Sequence, residues 1–124
     1  MRKTSIEDFR KSLVETGGYL TPPERRAKRR ARPGAWTTLR FSAGMSRVFP
    51  MCALYQPLGI LTIDRWARMC FSSVTTPEAL GMSVRIEGFE NMARRKGPAV
   101  ILCNHMSTVE TILLPPILLC FGPL

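Results

Sequence analysis

One stretch decides how this chain is interpreted: Ala99-Val100-Ile101-Leu102-Cys103-Asn104-His105-Met106-Ser107-Thr108-Val109-Glu110. Its first five residues form a continuous apolar run of strand length, which is typical of a strand buried inside a sheet. Polar residues follow, and from Ser107 the pattern is helical as far as Pro115-Pro116. The stretch therefore predicts a strand, a loop and a helix in succession.

The residues before this stretch predict another strand. Residues 82–87 alternate, with Val84 and Ile86 on one side and polar side chains on the other, as in a half-buried strand. An exposed basic loop at 94–98 separates the two predicted strands. Strand, loop, strand, loop and helix is the opening of an α/β layer, which is the fold class that we expect.

The beginning of the chain predicts a helix over residues 5–15. Ser5 with Asp8 three residues later is a helix start signal, and Gly17-Gly18 ends the pattern. An apolar stripe runs along this helix through Ile6, Phe9, Leu13 and Val14.

Charge is concentrated in the first part of the chain. The 124 residues carry 18 Lys and Arg against 9 Asp and Glu, a net charge of +9, and residues 1–47 hold 12 of the basic and 4 of the acidic side chains. Six of the eight residues in the 25–32 run are basic. This run is either a solvated linker or a contact with an anionic surface. The absence of an aromatic platform beside it disfavours nucleic acid as a partner.

An uncharged apolar segment follows at residues 48–63. It is shorter than the roughly 20 residues that span a bilayer, and Pro50 and Pro57 would break a spanning helix. Two interpretations remain open, a re-entrant or interfacial membrane segment and a broken core helix. The next residues predict a helix with one apolar face, and Thr76-Pro77-Glu78 indicates the start of another. The apolar face comprises Ile60, Ile63, Ala67 and Phe71.

Cysteine and histidine usage argues against a bound metal. The four cysteines form no C-x-x-C pair, and one histidine is present in the whole sequence. Because the N-terminus lacks the apolar run of a secretory signal, we interpret the cysteines as free thiols in a reducing compartment.

The candidate catalytic residues are His105 and Glu110, with Asn104 and Ser107 in supporting positions. His105 follows a predicted strand and precedes a helix, at the sheet edge where α/β proteins bind ligands. Glu110 with Ser107 fits a capping box, which is the structural interpretation. The same position lets Glu110 accept a hydrogen bond from the imidazole and leave the other ring nitrogen as a general base.

These residues resemble the first motif of the glycerolipid acyltransferase family, which includes the 1-acylglycerol-3-phosphate acyltransferases. That motif is usually N-H-x-S-x-x-D, so Asn104, His105 and Ser107 match, and Glu110 replaces the aspartate. Two upstream stretches, 84–91 and 97–100, also look like the family's lead-in. The resemblance covers residues 82–124 well and residues 35–80 only in kind.

The resemblance implies N-terminal helices followed by the opening strands and helix of an acyltransferase sheet, which is incomplete here. We expect a basic, partly disordered segment at 1–34, an apolar or amphipathic helical membrane-associating region at 35–80, and the start of the acyltransferase domain at 81–124. The family's later phosphate-binding motifs have no counterpart in this sequence. We therefore expect a fragment that is inactive alone and poorly soluble.

The function implied is transfer of a fatty acyl group to a glycerolipid hydroxyl in phospholipid biosynthesis, with His105 as general base oriented by Glu110. The co-substrate is acyl-CoA or acyl-ACP, and no cofactor or metal is bound. The expected partners are a membrane lipid acceptor, an anionic membrane surface and the acyl carrier protein, at the cytoplasmic face of a membrane. The alternative is a non-catalytic peripheral membrane module that uses the 25–32 run and the 48–63 segment.

Overall fold

A computed structural model describes residues 4–25, 32, 34–98, 100–102, 104 and 108–118. These residues are mainly helical, with one small antiparallel sheet. The elements in chain order are α1 (Ile6–Thr16), β1 (Tyr19–Leu20), a 3₁₀ turn (Pro23–Arg25), α2 (Ala35–Ser46), α3 (Val48–Tyr55), α4 (Ile63–Cys70), α5 (Ser72–Ala79), β2 (Arg85–Ile86), α6 (Phe89–Ala93) and α7 (Thr108–Leu118).

Helix α1 begins and ends as its capping residues predict. The Ser5 side chain accepts a hydrogen bond from the Asp8 backbone N–H at 3.0 Å. Gly17 ends the helix with a φ of 70°, a left-handed conformation that glycine adopts without strain. The apolar stripe is confirmed at Ile6, Phe9 and Leu13, which are buried, but Val14 is 57% exposed.

The sheet consists of β1 and β2, with Tyr19 opposite Ile86 and Leu20 opposite Arg85. The predicted alternation over residues 82–87 is confirmed, since Val84 and Ile86 pack against the core. Thr21 extends the pairing, because its backbone N–H donates to the Val84 carbonyl at 3.0 Å. The α/β expectation therefore holds in the coarse sense that helices pack beside a strand pair.

The prediction of a buried strand in the 99–103 run is wrong for Val100, Ile101 and Leu102. These residues belong to no strand, and Val100 and Leu102 are 85% and 91% exposed. A buried strand needs backbone partners and covered faces. Within the described residues the sheet has only two strands of two residues each, so it offers this run no ladder to join.

Helix α7 continues through Pro115 and Pro116 to Leu118, so the prediction that it stops at the prolines is wrong. A proline removes the N–H that would bond to the carbonyl four residues earlier, which for Pro116 is the carbonyl of Ile112. The buried hydroxyl of Ser73 donates a hydrogen bond to this carbonyl at 3.4 Å. A tertiary contact therefore supplies the donor that the helix lacks.

The prediction of a helix start at Thr76 is also wrong, because α5 already begins at Ser72. Pro77 lies inside α5, where its missing N–H leaves the Ser73 carbonyl without its helical donor. The helix follows α4 almost without interruption, since Phe71 between them keeps right-handed helical angles. Burial of Val74 on this turn stabilises it beyond its local sequence preference.

The core has two clusters, and the first joins all three predicted regions of the chain. Its buried members are Ile6, Phe9, Leu13, Tyr19, Phe71, Val74 and Phe89. The Phe9 ring lies at the centre, with centroids 4.8 Å from Tyr19 and 5.2 Å from Phe71. The second cluster comprises Met45, Val48, Cys70 and Ile112.

A buried carboxylate ties the start of the chain to α5. Glu78 is 3% exposed and accepts hydrogen bonds from Thr4 Oγ1 at 2.7 Å and from the Tyr19 hydroxyl at 2.5 Å. Burial, together with the hydrogen bond to Glu78, raises the pKa of Tyr19 to about 12. Because each carboxylate oxygen has a donor, the cost of burying Glu78 is offset.

Candidate functional site

The structure describes two of the four candidate site residues, Asn104 and Glu110. His105 and Ser107 lie outside the described residues. Asn104 is exposed, and the Glu110 side chain is partly buried in the first turn of α7. The pairing of His105 with Glu110 therefore stays a prediction. The structure does describe helix α7, which carries Glu110.

Helix α7 begins at Thr108, which makes Glu110 the third helical residue. This is the position at which a capping-box carboxylate reaches back over the helix start. Both interpretations of Glu110, as a cap with Ser107 and as the acceptor for His105, require this start. A negative charge here is also stabilised by the positive end of the helix dipole.

The core holds the helix that carries Glu110 at several points. Ile112, 3% exposed, belongs to the second core cluster, and Leu113 and Ile117 pack against the first. Glu110 is thus placed by a helix that is anchored in both clusters. A carboxylate that orients a general base must be held on a rigid element of this kind.

Large apolar side chains are exposed on and between α2, α3 and α4. Eight of them have between 37% and 70% of their surface accessible: Trp36, Leu39, Phe49, Leu54, Leu58, Ile60, Ile63 and Trp66. We call these eight residues the exposed apolar set. Where exposed apolar side chains form a contiguous patch, the patch is typical of a surface that contacts a membrane or another protein.

The 48–63 segment combines features of both earlier interpretations. Helix α3 ends at Tyr55 and a turn follows, so the helix is broken, and Val48 is buried in the core. At least half of the surface of Phe49, Leu54 and Leu58 is nevertheless exposed to solvent. Among the helices of the described residues, none has the length and apolar character needed to cross a bilayer.

The predicted apolar face of α4 is only half correct. Ala67 and Phe71 are buried, but Ile63 is 51% exposed, because the start of α4 extends past the core. The polar face binds α1, since Arg68 contacts Glu7 at 2.9 Å and Asp64 at 2.7 Å. Hydrogen bonds from Arg68 lower the pKa of both carboxyl groups.

The basic run at 25–32 is described only at its two ends. Arg25 forms an ion pair with Asp8 at 2.9 Å, and Arg32 is exposed. The basic loop at 94–98 is exposed, as predicted. Arg25 is therefore partly neutralised by α1, whereas the loop presents its charge to solvent.

Sequence reasoning missed a cavity of about 400 Å³ between α3, α4 and α5. Arg47, Arg65 and Arg68 line it together with apolar and hydroxyl side chains. The arginines at 65 and 68 lie one turn apart on α4, and this spacing was the available sequence signal. The approach of Arg47 from the α2–α3 turn depends on tertiary packing.

The thiols and carboxylates give no sign of a metal centre in the part of the chain that is described. No group of three His, Cys, Asp or Glu side chains there could hold a metal ion. Burial raises the pKa of Cys70 to about 12, which disfavours the thiolate form that binds metals and reacts. Comparison with family models, curated proteins and solved structures finds no match to this chain.

Proposed function

We propose that this chain belongs to a membrane-associated acyltransferase that moves a fatty acyl group from a thioester to a glycerolipid hydroxyl in phospholipid biosynthesis. One observation carries the proposal. Helix α7 begins at Thr108, so Glu110 stands where a carboxylate can meet the imidazole of a histidine five residues earlier in the sequence. A helix start ahead of the acid is what the N-H-x-S-x-x-(acid) motif needs.

In the proposed reaction, His105 removes the proton of the acceptor hydroxyl as its oxygen attacks the thioester carbonyl. The new C–O bond forms and the C–S bond breaks. The departing thiolate then takes the proton from the imidazolium, so no covalent enzyme intermediate is needed. Glu110 holds the ring in one tautomer and stabilises its positive charge, and Asn104 and Ser107 support the loop and the helix start.

The finer fold proposal is that further strands of an acyltransferase sheet complete this domain in a longer gene product. The exposed run at Val100 to Leu102 supports it. Three consecutive apolar side chains, two of them more than four-fifths exposed, are costly next to water. Neighbouring strands would pair with the backbone of this run, and elements packed on the sheet would cover its side chains.

Membrane association is supported by the exposed apolar set and by the excess of basic charge. A lipid acceptor stays in the bilayer, so the enzyme must meet the surface where the acceptor hydroxyl lies. Basic side chains add about 1 kcal/mol each near an anionic surface. We place the chain at the cytoplasmic face, where acyl-CoA and acyl-ACP are available as donors.

A non-catalytic peripheral membrane module is the second candidate. The exposed apolar set favours it, because these side chains lie on α2, α3, α4 and the turns beside them and do not involve His105. Such a module uses the 25–32 run and the 48–63 segment for binding and performs no chemistry.

An acyl-transfer assay separates the two candidates. The entire gene product is incubated with lysophosphatidate vesicles and with labelled acyl-CoA or acyl-ACP. The acyltransferase proposal predicts labelled phosphatidate with at least one donor, and vesicle flotation is measured in parallel. Vesicle binding with no transfer from either donor would contradict the acyltransferase and support the module.

A further inference from the structure

The cavity between α3, α4 and α5 has the lining of an anion site. Its volume is about 400 Å³, and it is open to solvent. Arginine, aromatic, thioether and hydroxyl side chains contribute to the wall, and no carboxylate does. Six of the lining residues bear on anion binding: Arg47, Tyr55, Arg65, Arg68, Met69 and Ser72.

Two of the three arginines keep an uncompensated charge. Arg68 is neutralised by Glu7 and Asp64, at 2.9 and 2.7 Å. Arg47 and Arg65 have no acidic partner within the described part of the chain. The cavity therefore presents a net positive potential to anything that enters it.

Arg65 is already held in a binding orientation. Its Nη1 donates to the Ile60 carbonyl at 2.9 Å, and its guanidinium lies 5.5 Å from the centre of the Tyr55 ring. One donor is used in this way, and a guanidinium has four more in a planar fork that matches a phosphate. Because the side chain is fixed beforehand, binding an anion costs little additional order.

Ser72 places an unpaired hydroxyl beside the cavity. Its Oγ is buried and has no hydrogen-bond partner among the described residues. Buried hydroxyls are nearly always paired, so this one calls for an explanation. A rotation of the hydroxyl toward the cavity would let it donate to an oxygen of a bound anion.

The apolar surroundings indicate an anion that carries a lipid tail. Met51 and Tyr55 of α3 line the cavity, and Phe49 and Leu54 of the same helix are at least half exposed. A phosphate placed among the arginines would therefore have apolar side chains nearby for its acyl chains.

We infer that this cavity binds the phosphate of an anionic phospholipid at the membrane surface. The inference rests on the proposed membrane association but not on acyl transfer, because neither Asn104 nor Glu110 lines the cavity. It gives the chain a second lipid contact that selects headgroups by charge.

Vesicle flotation of the full chain tests this inference. Phosphatidylcholine vesicles with and without phosphatidylglycerol are used, and Arg47→Gln/Arg65→Gln is compared with Arg94→Gln/Arg95→Gln. Both pairs remove the same charge, but only the first pair lines the cavity. We expect the first pair to weaken binding to phosphatidylglycerol vesicles roughly 30-fold and the second less than threefold.

Ser72→Ala provides a test that leaves the charge unchanged. We expect it to weaken binding roughly fivefold through the lost hydrogen bond. Unchanged binding by Ser72→Ala would contradict a phosphate seated in the cavity. If the Arg47/Arg65 variant fails to fold by circular dichroism, Arg47→Gln alone, with its exposed side chain, is expected to lose roughly fivefold.

Two results would overturn the inference. Equal losses in the two arginine pairs would mean that diffuse charge, and not the cavity, attracts the membrane. Binding of inorganic phosphate alone that depends on Arg47 and Arg65, with vesicle binding unaffected by their removal, would assign the cavity to a soluble phosphate ligand. In either case acyl transfer, assayed separately, would still decide the proposed function.

Discussion

Replacing His105 by alanine is expected to lower the rate of acyl transfer by the entire gene product roughly 100- to 10,000-fold, the range that a general base contributes. Without the imidazole, the acceptor hydroxyl must attack the thioester while still carrying its proton. The measurement is the initial rate of labelled phosphatidate formation at saturating donor, with vesicle flotation as a check that membrane binding is retained.

Variants of the paired carboxylate provide matched comparisons for this assay. Glu110→Gln removes the charge and keeps the shape, so we expect a loss smaller than that of His105→Ala. Glu90→Gln makes the same change on α6 and should leave the rate unaltered. A His105→Ala protein that is folded and transfers acyl groups at the wild-type rate would exclude the proposed mechanism.

Replacing Phe9 by alanine is expected to destabilise the chain by about 3–5 kcal/mol. Phe9 is fully buried and its ring contacts Tyr19 and Phe71, so the substitution leaves a cavity in the middle of the first core cluster. Native domains have about 5–15 kcal/mol of stability in total, so the loss is a large fraction of it. Urea denaturation followed by circular dichroism measures the change.

Val14→Ala is the control, because it also shortens an apolar side chain of α1. Val14 is 57% exposed, so we expect a change of less than about 0.5 kcal/mol. Equal urea midpoints for Phe9→Ala and the wild type would show that the first cluster is not the core. The Phe9→Ala destabilisation should also affect α7, which carries Glu110, because Leu113 and Ile117 of this helix pack on the cluster.

Local signals were sufficient for parts of the fold. The Ser5 cap and Gly17 set the ends of α1 by hydrogen bonds and a backbone conformation that need no tertiary partner. The alternation of Val84 and Ile86 predicted which face of β2 packs inward. Likewise, the helical pattern beginning at Ser107 predicted the start of α7 to within one residue, and with it the position of Glu110 in the first turn.

Other features depend on residues far apart in sequence. Tyr19–Leu20 is too short to be recognised as a strand until Arg85–Ile86 pairs with it. Pro116 is tolerated in α7 because Ser73, on another helix, donates to the carbonyl that the proline leaves without its helical donor. Val100 and Leu102 show the opposite case, since an apolar run predicts burial but cannot supply the neighbours that bury it.

The most direct test of the central claim is ¹⁵N NMR of the His105 imidazole in the 124-residue chain, where no other histidine interferes. If Glu110 accepts a hydrogen bond from the ring, it fixes one tautomer, and Glu110→Gln should shift the two ring ¹⁵N signals toward a mixture. Glu90→Gln should leave both signals in place. Identical ring signals in the wild type and in Glu110→Gln would contradict the pairing and the mechanism built on it.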